Sequence, residues 1–219
     1  MEAILLAVIK IVPTIFMALF PVVNPIGTAL VLSAKSKTVP SDVMKKISIK
    51  IAIYSFFVLS TFFLFGNLFL KLFGITTQIV QVSGGLVLTF MAWQMLNSNE
   101  IKTSVTIEDE QHILKAAETK CFYPLTFPLT VGPGCLAIVI TFGSHLRNDS
   151  ALSFAQHLAG LLGIFLICLT VYFCYANIKF VVNKFSREVN IAVSKMAAFF
   201  VICIGIEIFW NGLKNLLKY

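Results

Sequence analysis

Charge is what this sequence has least of. Only 12% of its 219 residues are Asp, Glu, Lys or Arg, about half the ~25% usual in soluble domains, so a soluble domain's surface cannot be built from it. Polar segments are almost as scarce. The one long stretch is 97–121, with Glu108, Asp109 and Glu110 followed by Lys115 and Lys120. Catalytic and metal motifs are missing too. There is no H-E-x-x-H, no metal-ligand spacing among His112, His145 and His157, and Ser83-Gly84-Gly85 lacks the leading Gly of a nucleophile elbow. An enzyme is not expected, nor a metal or other cofactor. The five cysteines, Cys121, Cys135, Cys168, Cys174 and Cys203, are odd in number, make no C-x-x-C pair and lie in or beside apolar runs. They read as small packing residues, with no disulfide framework. The N-terminus has no basic region, and its apolar run outlasts a signal-peptide core. It reads as the first span.

What is present is apolar length. The chain is 58% hydrophobic with a mean hydropathy of +0.90, so an all-α membrane protein follows, embedded in the lipid bilayer. At about 20 residues per span the hydropathy divides into six helices, near 3–32, 47–70, 78–96, 122–142, 158–178 and 191–213. One transmembrane domain, 1–219, accounts for the whole chain. Pro40-Ser41-Asp42 signals a helix start, and a short basic helix on the membrane surface is expected before span 2; Gly74 divides spans 2 and 3. The net charge of +7 reports orientation rather than nucleic-acid binding. Connections 1–2, 3–4 and 5–6 carry five, three and four Lys/Arg, and the opposite side carries five, Lys10, Lys71, Arg147, Lys214 and Lys218. The positive-inside rule then makes the first set cytoplasmic and puts both termini outside.

Spans 1 and 4 contain matched interruptions. Residues 20–33, with Pro21, Asn24, Pro25 and Gly27, align on 127–141, with Pro128, Gly132, Pro133 and Gly134, given one residue of slip. Spans 3 and 6 match weakly, Gly84-Gly85 on Ala197-Ala198 and Gln94 on Glu207. The chain therefore reads as two three-helix repeats, 1–96 and 122–219, joined by the connection 97–121. Three spans per repeat invert the second relative to the first, the plan of many secondary transporters, in which paired breaks mark the binding site. Prolines exclude the normal helical bond and glycines let a ligand reach the backbone. Each break is thus expected to free carbonyls before it and N–H groups after it, suited to an ammonium group and a carboxylate. Asn24, Pro25, Ile26, Gly27, Thr28, Thr130, Gly132, Pro133 and Gly134 are the candidate binding residues, around one midplane cavity. A small neutral, polar or zwitterionic substrate fits them, and Asn24 also has the chemistry of an internal helix cap. Glu207, in span 6, is either a proton-coupling group or a partly wet residue near the outer end of its helix, beside Trp210 and Asn211. Small residues at Ala155, Ala159 and Gly163, and at Gly84-Gly85, imply close helix packing.

With these residues in hand, the sequence resembles the MarC family of bacterial inner-membrane proteins, also called the neutral amino acid transporter family. The likeness rests on Asn24-Pro25-Ile26-Gly27, Gly84-Gly85, the segment from Pro128 to Gly134, and Gly212. The sequence departs from the family pattern at Thr28 and at Cys135-Leu136. The resemblance implies two inverted three-helix repeats in an inner membrane and, for some members, transport of glycine- or alanine-like amino acids; a coupling ion, H+ or Na+, is a partner that a secondary transporter would add. A homo-oligomer is compatible with it. The alternatives are a non-transporting assembly or regulatory protein working through 97–121, or an exporter of another small polar solute.

Overall fold

The computed structural model describes residues 2–35, 40–97, 121–146, 151–178, 180 and 187–217; the acidic stretch of the 97–121 connection lies outside them. All regular structure among the described residues is helical. Helix α1 is Glu2–Val23 and α2 is Pro25–Lys35, together forming span 1. Pro13 and Pro21 lie inside α1 without ending it, so of the interruptions expected in span 1 only the one at Asn24-Pro25 divides it. Span 2 is α3, Ser41–Leu72. It begins at the predicted Pro40-Ser41 signal, but the basic stretch is not a separate surface helix. Met44, Ile47, Ser48 and Ile51 are buried at helical spacing and carry one continuous apolar face through it. The chain then turns at Gly74, whose φ of 68° is costly for any residue with a Cβ.

Span 3 is α4, Thr77–Asn97. Span 4 consists of an irregular wound segment, α5, Cys121–Thr130, and a regular helix, α6, Pro133–His145, bent by 70° at the join. Spans 5 and 6 are α7, Ala151–Ala176, and α8, Arg187–Leu216, each starting several residues earlier than hydropathy places it. Five helices are long and apolar enough to cross a membrane, and the bent pair makes a sixth if it counts as one span.

The bundle is apolar outside as well as inside. Phe57, Phe65, Phe90, Trp93, Phe154, Phe199 and Phe200 are all more than half exposed, the surface expected where lipid replaces water. The interior is assembled through small residues. A Cβ at Gly85 would lie 2.5 Å from the Gly205 carbonyl oxygen and one at Gly212 would lie 2.9 Å from the Gln78 carbonyl oxygen, so α4 and α8 run together almost backbone to backbone. Gly163 stands 3.0 Å, by the same measure, from the Val12 carbonyl oxygen and seats α7 on α1. Ala155 and Ala159 on the same helix are buried, as the stripe of small residues predicts.

The pairing of the spans has a pattern. Span 1 packs on spans 5 and 6, span 4 packs on spans 2 and 3, span 2 packs on span 5, span 3 packs on span 6, and spans 1 and 4 pack on each other. Every substantial contact between spans joins one from the first half to one from the second.

Candidate functional site

At the first break the chain passes through Asn24 with φ at 44°, the only positive φ outside glycine among the described residues. Asparagine enters this left-handed region more readily than other non-glycine residues. Its side chain then works as a cap. The Asn24 Oδ1 accepts the Gly27 N–H at 3.2 Å, three residues on, with Pro25 at the first helical position where its missing N–H costs nothing. Gly27 has to be glycine for this, because a Cβ there would occupy the space of the Asn24 amide. Backbone bonds reach the break from both sides, from the Asn24 N–H to Phe20 O and from the Thr28 N–H to Asn24 O, both 2.9 Å. The Thr28 hydroxyl donates to Val23 O at 3.1 Å and Asn24 O at 3.0 Å.

The second break is wider. Tyr123-Pro124-Leu125-Thr126 and Phe127-Pro128-Leu129-Thr130 are tandem copies of one tetrapeptide. They fold alike: both X-Pro bonds are cis, and Tyr123 and Phe127 are both extended, at φ/ψ of −120/126 and −118/125. Each threonine hydroxyl reaches back five residues, Thr126 to Cys121 O and Thr130 to Leu125 O, both 2.8 Å. The Val131 N–H closes a third bond of that span on Thr126 O, also 2.8 Å. Gly132 then caps α6 in extended conformation with Pro133 at its first position, and its carbonyl accepts the Cys135 N–H at 3.0 Å. The two breaks thus share a cap residue followed by proline, as their alignment predicts. They differ in severity. Helical bonding resumes at Asn24 itself in the first, which stays within one span, whereas the second turns the chain by 70°.

The second break is tied to a residue that sequence reasoning did not select. Tyr175, near the end of α7, is fully buried, and its hydroxyl lies 3.1 Å from the Thr130 hydroxyl. The first break lies close by, since α2 packs on both α7 and α5. Thr28 and Thr130 are themselves buried. The breaks also approach each other at Gly134, where a Cβ would meet the Leu88 side chain and lie 3.5 Å from Val22 Cγ1. A lone tyrosine in an apolar helix carries no sequence signal, so Tyr175 could not have been found without coordinates. The tandem tetrapeptide could have been.

The remaining predicted residues divide. Pro25 and Gly27 are buried with Thr28; Asn24, Ile26 and Gly132 are half-buried; Pro133 is exposed. Glu207 does not join the cluster. It is exposed on α8 and accepts a 2.9 Å hydrogen bond from the Asn211 amide one turn on. Two other expectations change. The groups expected to be free are largely satisfied within the chain, because Asn24, Thr28 and Thr130 cap the backbone that the breaks release. Nor is the cluster midway through the bundle. In the 24-residue span Ser153–Ala176, Tyr175 is the next-to-last residue, roughly 15 Å from the middle at 1.5 Å per residue. Thr28 is likewise next to last in Val8–Ala29.

Comparison with known proteins agrees on the family throughout. Residues 9–217 match the MarC family, described as integral membrane proteins. The membrane protein YvbG of Bacillus subtilis is 26% identical over 202 residues, covering 92% of this chain and 93% of its own. A membrane protein of Aquifex aeolicus is 25% identical over 207 residues, covering 93% of this chain and 92% of its own. The inner membrane protein MarC of Escherichia coli is 25% identical over 209 residues, covering 91% and 92%. No solved structure matches.

Proposed function

Since the chain belongs to the MarC family of integral membrane proteins, we propose that it is a secondary transporter or exporter of small neutral amino acids, glycine and alanine in size, acting between its two broken spans. The observation that carries this reading is the convergence of the breaks: α2 packs on both α5 and α7, and Thr130 of the second break is held by the buried Tyr175 hydroxyl of α7. Kinks that merely bend lipid-facing helices have no reason to meet.

The capping bonds suggest how a zwitterion is taken. A substrate carboxylate replaces the Asn24 Oδ1 on the Gly27 N–H at the start of α2, where the helix dipole favours an anion. An ammonium group replaces the Thr28 hydroxyl on the Val23 and Asn24 carbonyls. Each exchange trades one hydrogen bond for a stronger, charge-assisted one. The absence of acidic or basic side chains among these residues favours a ligand without net charge.

The packing pattern supports two inverted repeats. Exchanging span 1 with 4, 2 with 5 and 3 with 6 turns the contacts of span 1 on spans 5 and 6 into those of span 4 on spans 2 and 3, and returns the 2–5 and 3–6 pairs to themselves. Such a bundle rocks as two interlocked halves. With the Lys-rich connections inside, the Thr28–Tyr175–Thr130 cluster lies toward the cytoplasmic end. By analogy with the inner membrane relative, we assign the chain to a bacterial inner membrane.

The test is uptake of labelled glycine and alanine into proteoliposomes containing the full chain, with Asn24→Ala as the control that abolishes it. Failure to bind or move any neutral amino acid at millimolar concentration would overturn the reading.

A further inference from the structure

Helix α3 is longer than a membrane is thick. Its 32 residues measure about 48 Å at 1.5 Å per residue, against a hydrocarbon core of about 30 Å. The charges on it fix where the excess lies. Lys71 stands in the last turn, Lys45, Lys46 and Lys50 stand near the start, and no charged side chain falls between Lys50 and Lys71. From Lys50 to Lys71 the helix rises roughly 32 Å, so these two lysines bracket the core. The turns that carry Lys45 and Lys46 then lie among lipid headgroups.

This end of α3 presents one ordered face. Lys45 and Lys46 are exposed and Lys50 is half-buried, while Ile49 and Ile53, at helical spacing from Lys46 and Lys50, are both exposed and lead into the core. The start of α5 stands beside it. The Phe122 ring meets Tyr54 edge-on, with centroids 5.9 Å apart and an interplanar angle of 82°, and is half exposed. Tyr54, one turn below Lys50, sits at the depth where a tyrosine keeps its ring in hydrocarbon and its hydroxyl near the headgroups. The charge on this face is unmatched. Asp42 is the acidic residue of the first turn, and among the described residues none of the three lysines is held in an ion pair. Lys46 and Lys50, one turn apart, repel each other, and a shared anion would relieve that repulsion.

We propose that this face binds one anionic phospholipid, its phosphate between Lys46 and Lys50 and an acyl chain along Ile49 and Ile53 toward Phe122. Both parts of the lipid are needed to match it. An acidic peptide segment would answer the lysines and leave the isoleucines bare, and a neutral lipid would cover the isoleucines and leave the charge. The bound lipid rests on α3 and the start of α5 together, and so braces the entry to the second break. The site is independent of what the breaks themselves bind.

Native mass spectrometry of the full chain in detergent tests this, with palmitoyl-oleoyl phosphatidylglycerol and the phosphatidylcholine of the same chains as probes. The parent chain is expected to retain one phosphatidylglycerol under conditions that strip phosphatidylcholine. Lys46→Gln with Lys50→Gln lowers the apparent affinity for phosphatidylglycerol roughly thirtyfold, about fivefold for each lysine near an anionic surface, and leaves phosphatidylcholine unchanged. Lys71→Gln, at the other end of the same helix, changes neither. Lys46→Arg with Lys50→Arg keeps the lipid, which separates lost charge from a damaged fold. Equal retention of the two lipids, or a glutamine pair no different from Lys71→Gln, would overturn the site. Displacement of the lipid by millimolar inorganic phosphate would reduce it to an anion site and overturn it as well. So would a preference for phosphatidylglycerol that emerges only when Glu108, Asp109 and Glu110 are replaced by glutamine, since the acidic connection would then be the occupant of the lysines.

Discussion

Asn24 shows at the scale of one residue why a helix can be broken inside a membrane at small cost. A left-handed residue, a cap for the Gly27 N–H and an unbroken pair of 2.9 Å backbone bonds are combined at one position. These contributions separate by mutation. Asn24→Gly keeps the backbone angle and loses only the side-chain cap, where glycine costs a few tenths of a kcal/mol. Asn24→Ala loses the cap, about 1 kcal/mol, and forces a Cβ into the left-handed region, roughly another 1–2 kcal/mol. Thermal unfolding in detergent is expected to rank the parent first, Asn24→Gly close behind and Asn24→Ala clearly last. Equal losses in the two variants would mean that the left-handed geometry at Asn24 carries no weight. The identity of this residue was legible in the sequence, because an Asn between an apolar run and Pro-x-Gly has few other uses. Its full role was not. Sequence reasoning offered Asn24, Thr28 and Thr130 to a ligand, and the coordinates show them on the backbone first.

Among the elements, α5 departs furthest from a regular helix. Proline twice removes a backbone donor, and a threonine hydroxyl twice supplies one, two residues later in each tetrapeptide. The Thr126 bond is made in the buried interior of the segment. Thr126, 0% exposed, is therefore expected to matter more than a threonine on a regular helix. Thr126→Val loses a buried bond and is predicted to cost about 1–3 kcal/mol. Thr170→Val, on α7, removes a similar 2.9 Å hydroxyl bond to Leu166 O, but at an exposed position, and the change should lie within ~0.5 kcal/mol of zero. Denaturation of the two variants side by side checks the difference; equal effects would mean that the Thr126 hydroxyl is as dispensable as that of Thr170. Element lengths show what hydropathy can and cannot register. It placed every long apolar helix, and the prolines and glycines marked both breaks. Hydropathy cut α3 short because Lys45 and Lys46 are charged, although the other face of the same turn buries Met44, in line with Ile47 and Ile51. Periodicity carries that information and mean hydropathy does not.

For the whole molecule the decisive question is what the bent pair does. Helix α6, Pro133–His145, has 13 residues and measures about 20 Å, too short alone for a hydrocarbon core of about 30 Å. It crosses only if α5 carries the rest; otherwise the pair enters and leaves on one side. The two cases place the termini differently. Six crossings bring both termini to the same face, and five put them on opposite faces. The charge bias, the matched breaks and the exchange symmetry of the packing all depend on six. Labelling of single-cysteine variants in intact cells, on a background with the five native cysteines replaced, is expected to give reaction from outside at both termini and only after permeabilisation at a site near residue 110. A C-terminus reached only after permeabilisation would remove the inverted repeat. It would leave the contact between Tyr175 and Thr130 in place, since that bond is made within the bundle whichever way the chain enters. The transport reading would then have to rest on a re-entrant segment closed by Tyr175.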